Sequence, residues 1–380
     1  MLYAGIAWNH DGYLVEILTE AGAVAAGPLR WDAGRIAELI VWLREFAERD
    51  GQPLTTVVES TNGLLDGPMT AAGLEVHRAD PWVLPQRPAF GSVPARVLAQ
   101  QARTAPGSLC RLTPEGGSLT GRAEEFHENV RRGEPAEAAL TAAGGCLSHG
   151  HRDLPQAALS FDDGPDPVFT GQVLDILDHY GVRASFFCVG LHVEALPAEV
   201  RRIARAGHEL GNHTWSHPYL PDLTPAQLRE QIDRTQQAIE RAAGRPATLF
   251  RPPYGAHTPE VLAELAARGP KVALWDVDSR DWARPGPEQI ARTVLAAAGP
   301  GSVVLMHEGA GDRGQTVRAL PAVIEGLLAR GLRLVPVGEL ADPVSPRPAA
   351  TRSDGLDPGP EAAAGVEAFQ QGHADPAGSR

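Results

Sequence analysis

Between residues 153 and 341, short runs of almost continuously apolar residues alternate with longer segments whose apolar positions recur at helical spacing. The runs are AALSF, ASFFCVG, HELGNH, TLFRP, KVALWDV, GSVVLMH and LRLVPV. Strands without polar alternation are buried on both faces, and strands separated by helices predict a parallel sheet covered by those helices. Seven of them predict an α/β barrel, complete or incomplete, with the doubly wound open sheet as the alternative. The segment LTPAQLREQIDRTQQAIERAAG carries its own punctuation. Thr224 is placed as N-cap, Pro225 at the first helical position, Gln227 where a capping box needs it, and Gly244 as the stop.

Residues 1–105 have a different rhythm. YAGIAW and YLVEIL flank an HDG turn and predict a hairpin, AGRIAELIVWLREFAERDG predicts a helix, and TTVVES and GLEVHRA predict two further strands. A smaller α/β domain therefore precedes the barrel. Residues 106–152, rich in Gly, Glu, Ala and Arg, predict a connector with one or two helices. Residues 342–380 are dense in Pro, Gly, Ala and Ser and nearly empty of large apolar side chains, which predicts a disordered tail.

Composition narrows the function classes. The chain has 380 residues, 43% of them hydrophobic, and a formal net charge of −13, so no general affinity for nucleic acid or an anionic membrane is expected. Three cysteines without a CxxC pair predict no disulfide framework and a reducing compartment. The start MLYAGIAWNHDGYLVEIL has no basic region, long apolar core or small-residue cleavage site. No apolar run reaches the roughly 18 residues of a spanning helix. A soluble, cytoplasmic protein is expected.

The polar residues that interrupt the apolar pattern fall at the carboxyl ends of the barrel strands. These are Asp162 and Asp163; His213 and His217; Arg251 and Tyr254 in RPPYG; Asp276, Asp278, Asp281 and Trp282; and His307 and Glu308. Alone, a double aspartate before Gly-Pro is an ordinary turn and a strand-end histidine is usually packed or solvated. Five strands delivering ionisable groups to one rim instead predict a site, because parallel α/β folds build sites there. Two histidines four residues apart can also serve one zinc ion. His179, His192, His208 and His257 are expected to be surface or packing residues. Cys188 is expected in the core, and neither Cys110 nor Cys146 has a visible catalytic partner.

The motifs SFDDGP, HTWSH, RPPYG, DVDSRDW and LMHE, in this order over about 153–341, closely resemble those of the polysaccharide deacetylase family, the NodB-homology domain of carbohydrate esterase family 4. The resemblance implies a distorted (β/α) barrel and a hydrolase of non-peptide carbon–nitrogen bonds. The implied reaction removes acetyl from an N-acetylated amino sugar: an oligosaccharide, a cell-wall precursor or a glycosylated metabolite. It implies Asp163, His213 and His217 as ligands of one divalent metal, Zn2+ with Co2+ or Ni2+ as alternatives. Asp162 is implied as general base with Arg251 as its partner, and the Tyr254 backbone N–H as oxyanion donor. His307 is implied as general acid, Asp278 as the carboxylate orienting it, and Leu305 and Trp282 as walls around the acetyl methyl. Asp276, Asp281 and Glu308 are left with supporting or structural roles. The rival expectations are a hydrolase of a small non-sugar amide on the same fold, and a non-catalytic binding or regulatory protein.

The segments AGIAWNHDGYLVEILTEAG and TTVVESTNGLLDGPMTAAGLEVHRADP are similar to the RNase H-like (RuvC-type) domain of certain insertion-sequence transposases. That resemblance implies carboxylates on a first strand, a middle strand and a late helix, holding two divalent metals. Glu59 stands at the middle-strand position, but Ala7 replaces the first acid and GSVPARVLAQQ offers none for the last. A dismantled nuclease is expected, serving in docking or oligomerisation, with presentation or selection of substrate as the alternative.

Overall fold

Two sheets organise the computed structural model, which describes residues 1–341; the tail expected to be disordered lies outside the described residues. The first sheet contains β1 (Leu2–Trp8), β2 (Gly12–Thr19), β3 (Val24–Asp32), β4 (Leu54–Glu59), β5 (Glu75–Ala79) and β6 (Cys110–Arg111), in the order β3-β2-β1-β4-β5-β6. The β1–β2 hairpin runs in continuous antiparallel register from Leu2↔Thr19 to Trp8↔Tyr13, and β1, β4 and β5 are parallel. The sequence pattern did not announce β3, because VAAGPLRWD is an exposed edge without alternation and contains Gly and Pro. The helix Ile36–Asp50 buries Leu39, Ile40, Leu43 and Phe46, and Gly51 ends it with φ 60. The helix Ala95–Thr104 lies so close to β1 that a Cβ at Gly5 would come 1.9 Å from the Ala95 carbonyl oxygen.

The second sheet contains β7 (Cys146–Leu147), β8 (Gln156–Asp162), β9 (Ser185–Cys188), β10 (Glu209–Asn212), β11 (Leu249–Phe250), β12 (Lys271–Ala273), β13 (Val277–Asp278), β14 (Val303–His307) and β15 (Arg333–Leu334). Its order is β13-β14-β8-β9-β10-β11-β12-β7, with β15 paired to β8, and every pairing is parallel. This curled parallel sheet is the barrel expected from the strand pattern, in the distorted form that the resemblance implied, with two differences in the strands. β7 comes from the connector and is too short to carry a period. KVALWDV forms two strands at different places in the sheet, because the carbonyls of Ala273 and Leu274 turn to the Arg251 guanidinium and the Asp276 carboxylate caps the Val303 N–H.

The helix Pro225–Ala243 is capped as its sequence indicates, with Thr224 and Gln227 forming a reciprocal capping box and Gly244 at φ 74. The connector contributes the helix Ala123–Ala142, with β6 at one end and β7 at the other, so it adds a strand to each sheet. The sheets are joined through one continuous apolar core that includes Ile6 and Trp8 as well as Phe161, Phe186 and Trp215. Phe90 stacks edge-on against Trp8 and Trp215, with centroids 5.1 and 5.4 Å away. Arg122 makes a two-pronged, buried ion pair with Asp222 at 2.6 and 2.7 Å. Among the described residues no helix is long and apolar enough to cross a membrane, and the three cysteines are unpaired.

Gly5→Ala should lower the first unfolding midpoint in a denaturant titration by an amount worth about 1–3 kcal/mol, because the added methyl must displace helix backbone. An unchanged midpoint would mean that this helix can move off β1 at little cost.

Candidate active site

In a strand, neighbouring side chains point to opposite faces, so two adjacent aspartates at the end of β8 should aim apart. They do not, because Asp163 leaves the strand with φ 73, a left-handed conformation that costs a non-glycine residue about 1–3 kcal/mol. The His192 ring, buried behind the turn, holds the Asp163 carbonyl oxygen at 2.7 Å from Nδ1. Gly164 follows where a Cβ would collide with the Glu308 carboxyl. Glu308 accepts a hydrogen bond from the Thr170 hydroxyl, and burial pushes its carboxyl up to about 8. His192 and Glu308 thus brace the turn that turns Asp163 inward.

The HTWSH segment is a loop, and the four-residue spacing works without a helix. Thr214 and His217 both have positive φ, 68 and 56. The Asn212 side chain accepts from the Thr214 N–H at 2.9 Å, and the Gln231 side chain accepts from the N–H groups of Trp215 and Ser216 at 2.8 and 3.0 Å. Asp163 Oδ1 then lies 3.2 Å from His217 Nε2 and 3.6 Å from His213 Nε2, with all three ligand atoms within 4.8 Å of one another.

These residues fit a divalent cation. His213 Nδ1 sits 2.7 Å from the Arg251 carbonyl oxygen, a contact that places its proton there and leaves the Nε2 lone pair facing Asp163. Burial pulls His213 down to about 4 and also lowers His217, so both rings are neutral at pH 7. Asp163 Oδ1 is buried and receives no hydrogen bond. A buried carboxylate oxygen without a hydrogen bond, set against the Nε2 atoms of two neutral imidazoles, is costly unless a cation lies among them. It is the one such His/Cys/Asp/Glu cluster among the described residues.

Asp162 lies beside this cluster, with Oδ2 3.7 Å from His213 Nε2 and Oδ1 2.6 Å from Arg251 Nη1. Arg251 is fully buried, over the Phe187 ring, and its other N–H groups reach Ser160 Oγ and the carbonyls of Ala273 and Leu274 at 2.9, 3.0 and 3.1 Å. The β8–β14 register puts His307 beside Asp162.

The carboxylate that holds His307 is Asp281. Its Oδ1 is 2.7 Å from His307 Nδ1, while Oδ2 accepts from the His307 N–H and the Thr316 hydroxyl at 2.8 and 2.7 Å. Burial alone would lower the His307 pKa, but the Asp281 charge and hydrogen bond raise it overall. This corrects the expectation for Asp278, which instead accepts from the Arg280 N–H at 2.7 Å and lies 3.4 Å from Trp282 Nε1. The left-handed turn at Arg280, φ 58, swings Asp281 under β14 and leaves Asp278 on the rim. Asp276 is structural, paired with Arg152 at 2.9 Å. His208 accepts the Ala184 N–H and His257 bonds the Gly255 carbonyl and faces Glu137, both packing roles as expected.

A cavity of about 430 Å3 joins these groups, lined by Asp162, Asp163, His213, His217, Tyr254, Leu305 and His307, with Asp278 and the half-exposed Trp282 at its mouth. Tyr254, at φ 61, turns the RPPYG loop into it. Trp275, which the sequence did not single out, lines it as well. The sequence also gave no sign of Gly63, from the N-terminal domain. A Cβ there would lie 2.0 Å from the Tyr254 hydroxyl oxygen and 2.4 Å from the His217 carbonyl oxygen.

The family model for polysaccharide deacetylases matches residues 149–273. A chitooligosaccharide deacetylase from Bradyrhizobium sp. (strain ANU 289) is 42% identical over 196 residues, covering 48% of this chain and 89% of that protein. The chain belongs to the polysaccharide deacetylase family. A peptidoglycan-N-acetylglucosamine deacetylase of Bacillus cereus is 40% identical over 185 residues, 48% of this chain and 86% of that one. Among solved structures, the Bc1960 peptidoglycan N-acetylglucosamine deacetylase in complex with 4-naphthalen-1-yl-N-oxidanyl-benzamide superposes with a TM-score of 0.53 at 34% identity. It covers 54% of this chain and 96% of that chain. As a family member the protein is a hydrolase of the polysaccharide deacetylase type, and each of these relatives matches about half of it.

Because the His217 backbone has to give way to any side chain at position 63, Gly63→Ala should weaken binding of Co2+ about tenfold or more, read by the visible spectrum of the titrated protein. Unchanged cobalt affinity would show that this contact does not hold His217 in place.

Proposed function

We propose that the protein removes the acetyl group from the nitrogen of an N-acetylated amino sugar, releasing acetate and a free amine. The observation that carries this reading is the buried Asp163–His213–His217 cluster with Asp162 and His307 flanking it. The names of the relatives support the substrate class, since they are chitooligosaccharide and peptidoglycan-N-acetylglucosamine deacetylases. Zinc suits the donor set of one carboxylate and two imidazoles, and cobalt and nickel accept the same donors. When bound, the cation polarises the amide carbonyl and acidifies a water molecule. Three unpaired cysteines suit a reducing compartment such as the cytoplasm.

The chain's own groups divide the proton transfers. Asp162 accepts the proton of the attacking water, with one carboxylate oxygen fixed by Arg251 and the other free toward the reaction. The Tyr254 N–H donates to the oxygen on which negative charge develops. Leu305 and Trp282 receive the acetyl methyl. His307, beside Asp162 in the register, gives its proton to the departing amine, and Asp281 holds the imidazole ring with its proton toward the cavity.

Acetate release from N-acetylglucosamine and its oligomers by the metal-loaded protein tests the reading. Asp162→Asn should lose at least about a hundredfold in kcat with its metal content intact, whereas His213→Ala should lose both metal and activity. Full activity in both variants would refute the assignment.

The pH profile tests the acid. His307 works protonated, and its raised pKa keeps the proton in place to higher pH, so activity should fall as pH rises through that value. Asp281→Asn removes the charge that raises it and should move this alkaline limb to lower pH by about one unit, while Asp278→Asn leaves it in place. The opposite pattern would return the orienting role to Asp278.

A further inference from the structure

The barrel builds only part of the cavity. The facing wall comes from the N-terminal domain and the connector, through Gly63, Asp66, Gly67, Thr70, Ser118 and Leu119. This wall is fixed where it meets the site. The Tyr219 N–H donates to the Ser60 carbonyl at 3.0 Å, just beyond His217, and Trp8 Nε1 donates to Thr61 Oγ1 at 3.0 Å. Asn62 Nδ2 reaches the Ile6 carbonyl at 3.1 Å, and the Thr61 hydroxyl donates to buried Glu59. Farther along, the buried Asp66 carboxylate accepts from the Gly67 N–H at 2.8 Å and from the Ser118 hydroxyl, which ties the two wall segments together. Asn129 bonds the Tyr219 hydroxyl at 3.0 Å, so the connector is clamped to the same loop.

A protein that works along a polymer needs a groove through which the chain continues past the reacting unit. A rigid wall beside the metal ligands works against that. The volume agrees: about 430 Å3 is near the lower end for small-molecule clefts and holds about one or two sugar rings.

Resting on the deacetylase reading, we infer that the N-terminal domain is a length filter, walling the cleft so that the site takes an isolated or terminal N-acetyl sugar with at most one neighbour, and not the interior of a long chain. The substrate class is a small N-acetylated glycoside or the free end of an oligosaccharide.

The test is kcat/KM for acetate release by the full-length, metal-loaded protein on N-acetylglucosamine oligomers of one to six units, with the deacetylated position mapped by mass spectrometry. The filter requires a rate constant that levels off at the disaccharide and deacetylation confined to one end. Two wall variants move the profile in opposite directions. Gly67→Phe is made at an exposed position where an added Cβ meets nothing within 4 Å. It should cut kcat/KM for the disaccharide about tenfold relative to the monosaccharide. Leu119→Ala trims the wall and should raise the trimer-to-hexamer rates relative to the dimer about threefold. A wild-type profile that climbs to the hexamer with internal deacetylation, or a profile unmoved by both variants, overturns the filter and leaves the deacetylase standing. No acetate from any length by protein carrying its metal overturns the deacetylase reading itself.

Discussion

Aiming two consecutive carboxylates at one buried point is the constraint on which the rest of this site depends. An extended backbone cannot do it, so the chain turns left-handed at Asp163. The same solution recurs around the rim. Among the described residues the non-glycine positions with positive φ are Asp163, Thr214, His217, Tyr254, Arg280, Arg284 and Ala310. Five of them line the cavity, and Thr214 and Arg280 lie in the loops that deliver His217 and Asp281. Each is expected to cost about 1–3 kcal/mol and persists only where its surroundings allow no alternative. Those surroundings are identifiable: His192 and Glu308 behind Asp163, Asn212 and Gln231 behind the histidine loop, and Gly63 against His217 and Tyr254. The strain is concentrated where the chemistry is proposed and is offset by packing around it.

Arg251 shows how far one buried charge shapes the fold. A guanidinium with no exposure needs a partner for its charge and acceptors for its N–H groups, and removing the partner of such a pair costs about 3–5 kcal/mol. Asp162 meets the first need. Ser160 and the carbonyls of Ala273 and Leu274 meet the second. Those carbonyls are thereby taken from the sheet ladder, which is where the strand beginning at Lys271 stops and the chain crosses to pair with β14. The group that steadies the proposed base therefore also sets the break in the barrel. Asp281 plays a parallel part under β14, serving both the backbone and the ring of His307.

This pattern explains what could be read from the sequence. The apolar runs located most of the barrel strands, and the residues ending them located the rim, because burial and strand-end placement are local properties of the chain. The capping box at Thr224 was legible for the same reason. The choice between Asp278 and Asp281 was not, since DVDSRDW offers both and the turn at Arg280 that decides between them leaves no mark in the spacing. His192 looked like a packing residue because its one specific bond goes to a backbone carbonyl across the fold. Gly63 was invisible for a stronger reason: its importance is the absence of a side chain opposite residues more than 150 positions away.

The N-terminal domain extends the argument from the site to the whole chain. In the RNase H-like resemblance Glu59 would be a metal-binding acid. Here burial pushes its carboxyl upward, Thr61 donates to it, and Arg87 lies 3.5 Å away. Among the described residues it belongs to no cluster able to hold a cation. This carboxylate is buried instead of facing solvent, and the loop that follows it packs against the barrel. That loop, residues 60–63, is the segment that reaches His217 and Tyr254. Placing a loop rigidly asks only for packing and hydrogen bonds, so a strand whose acid is buried and bonded can position the loop beside another site.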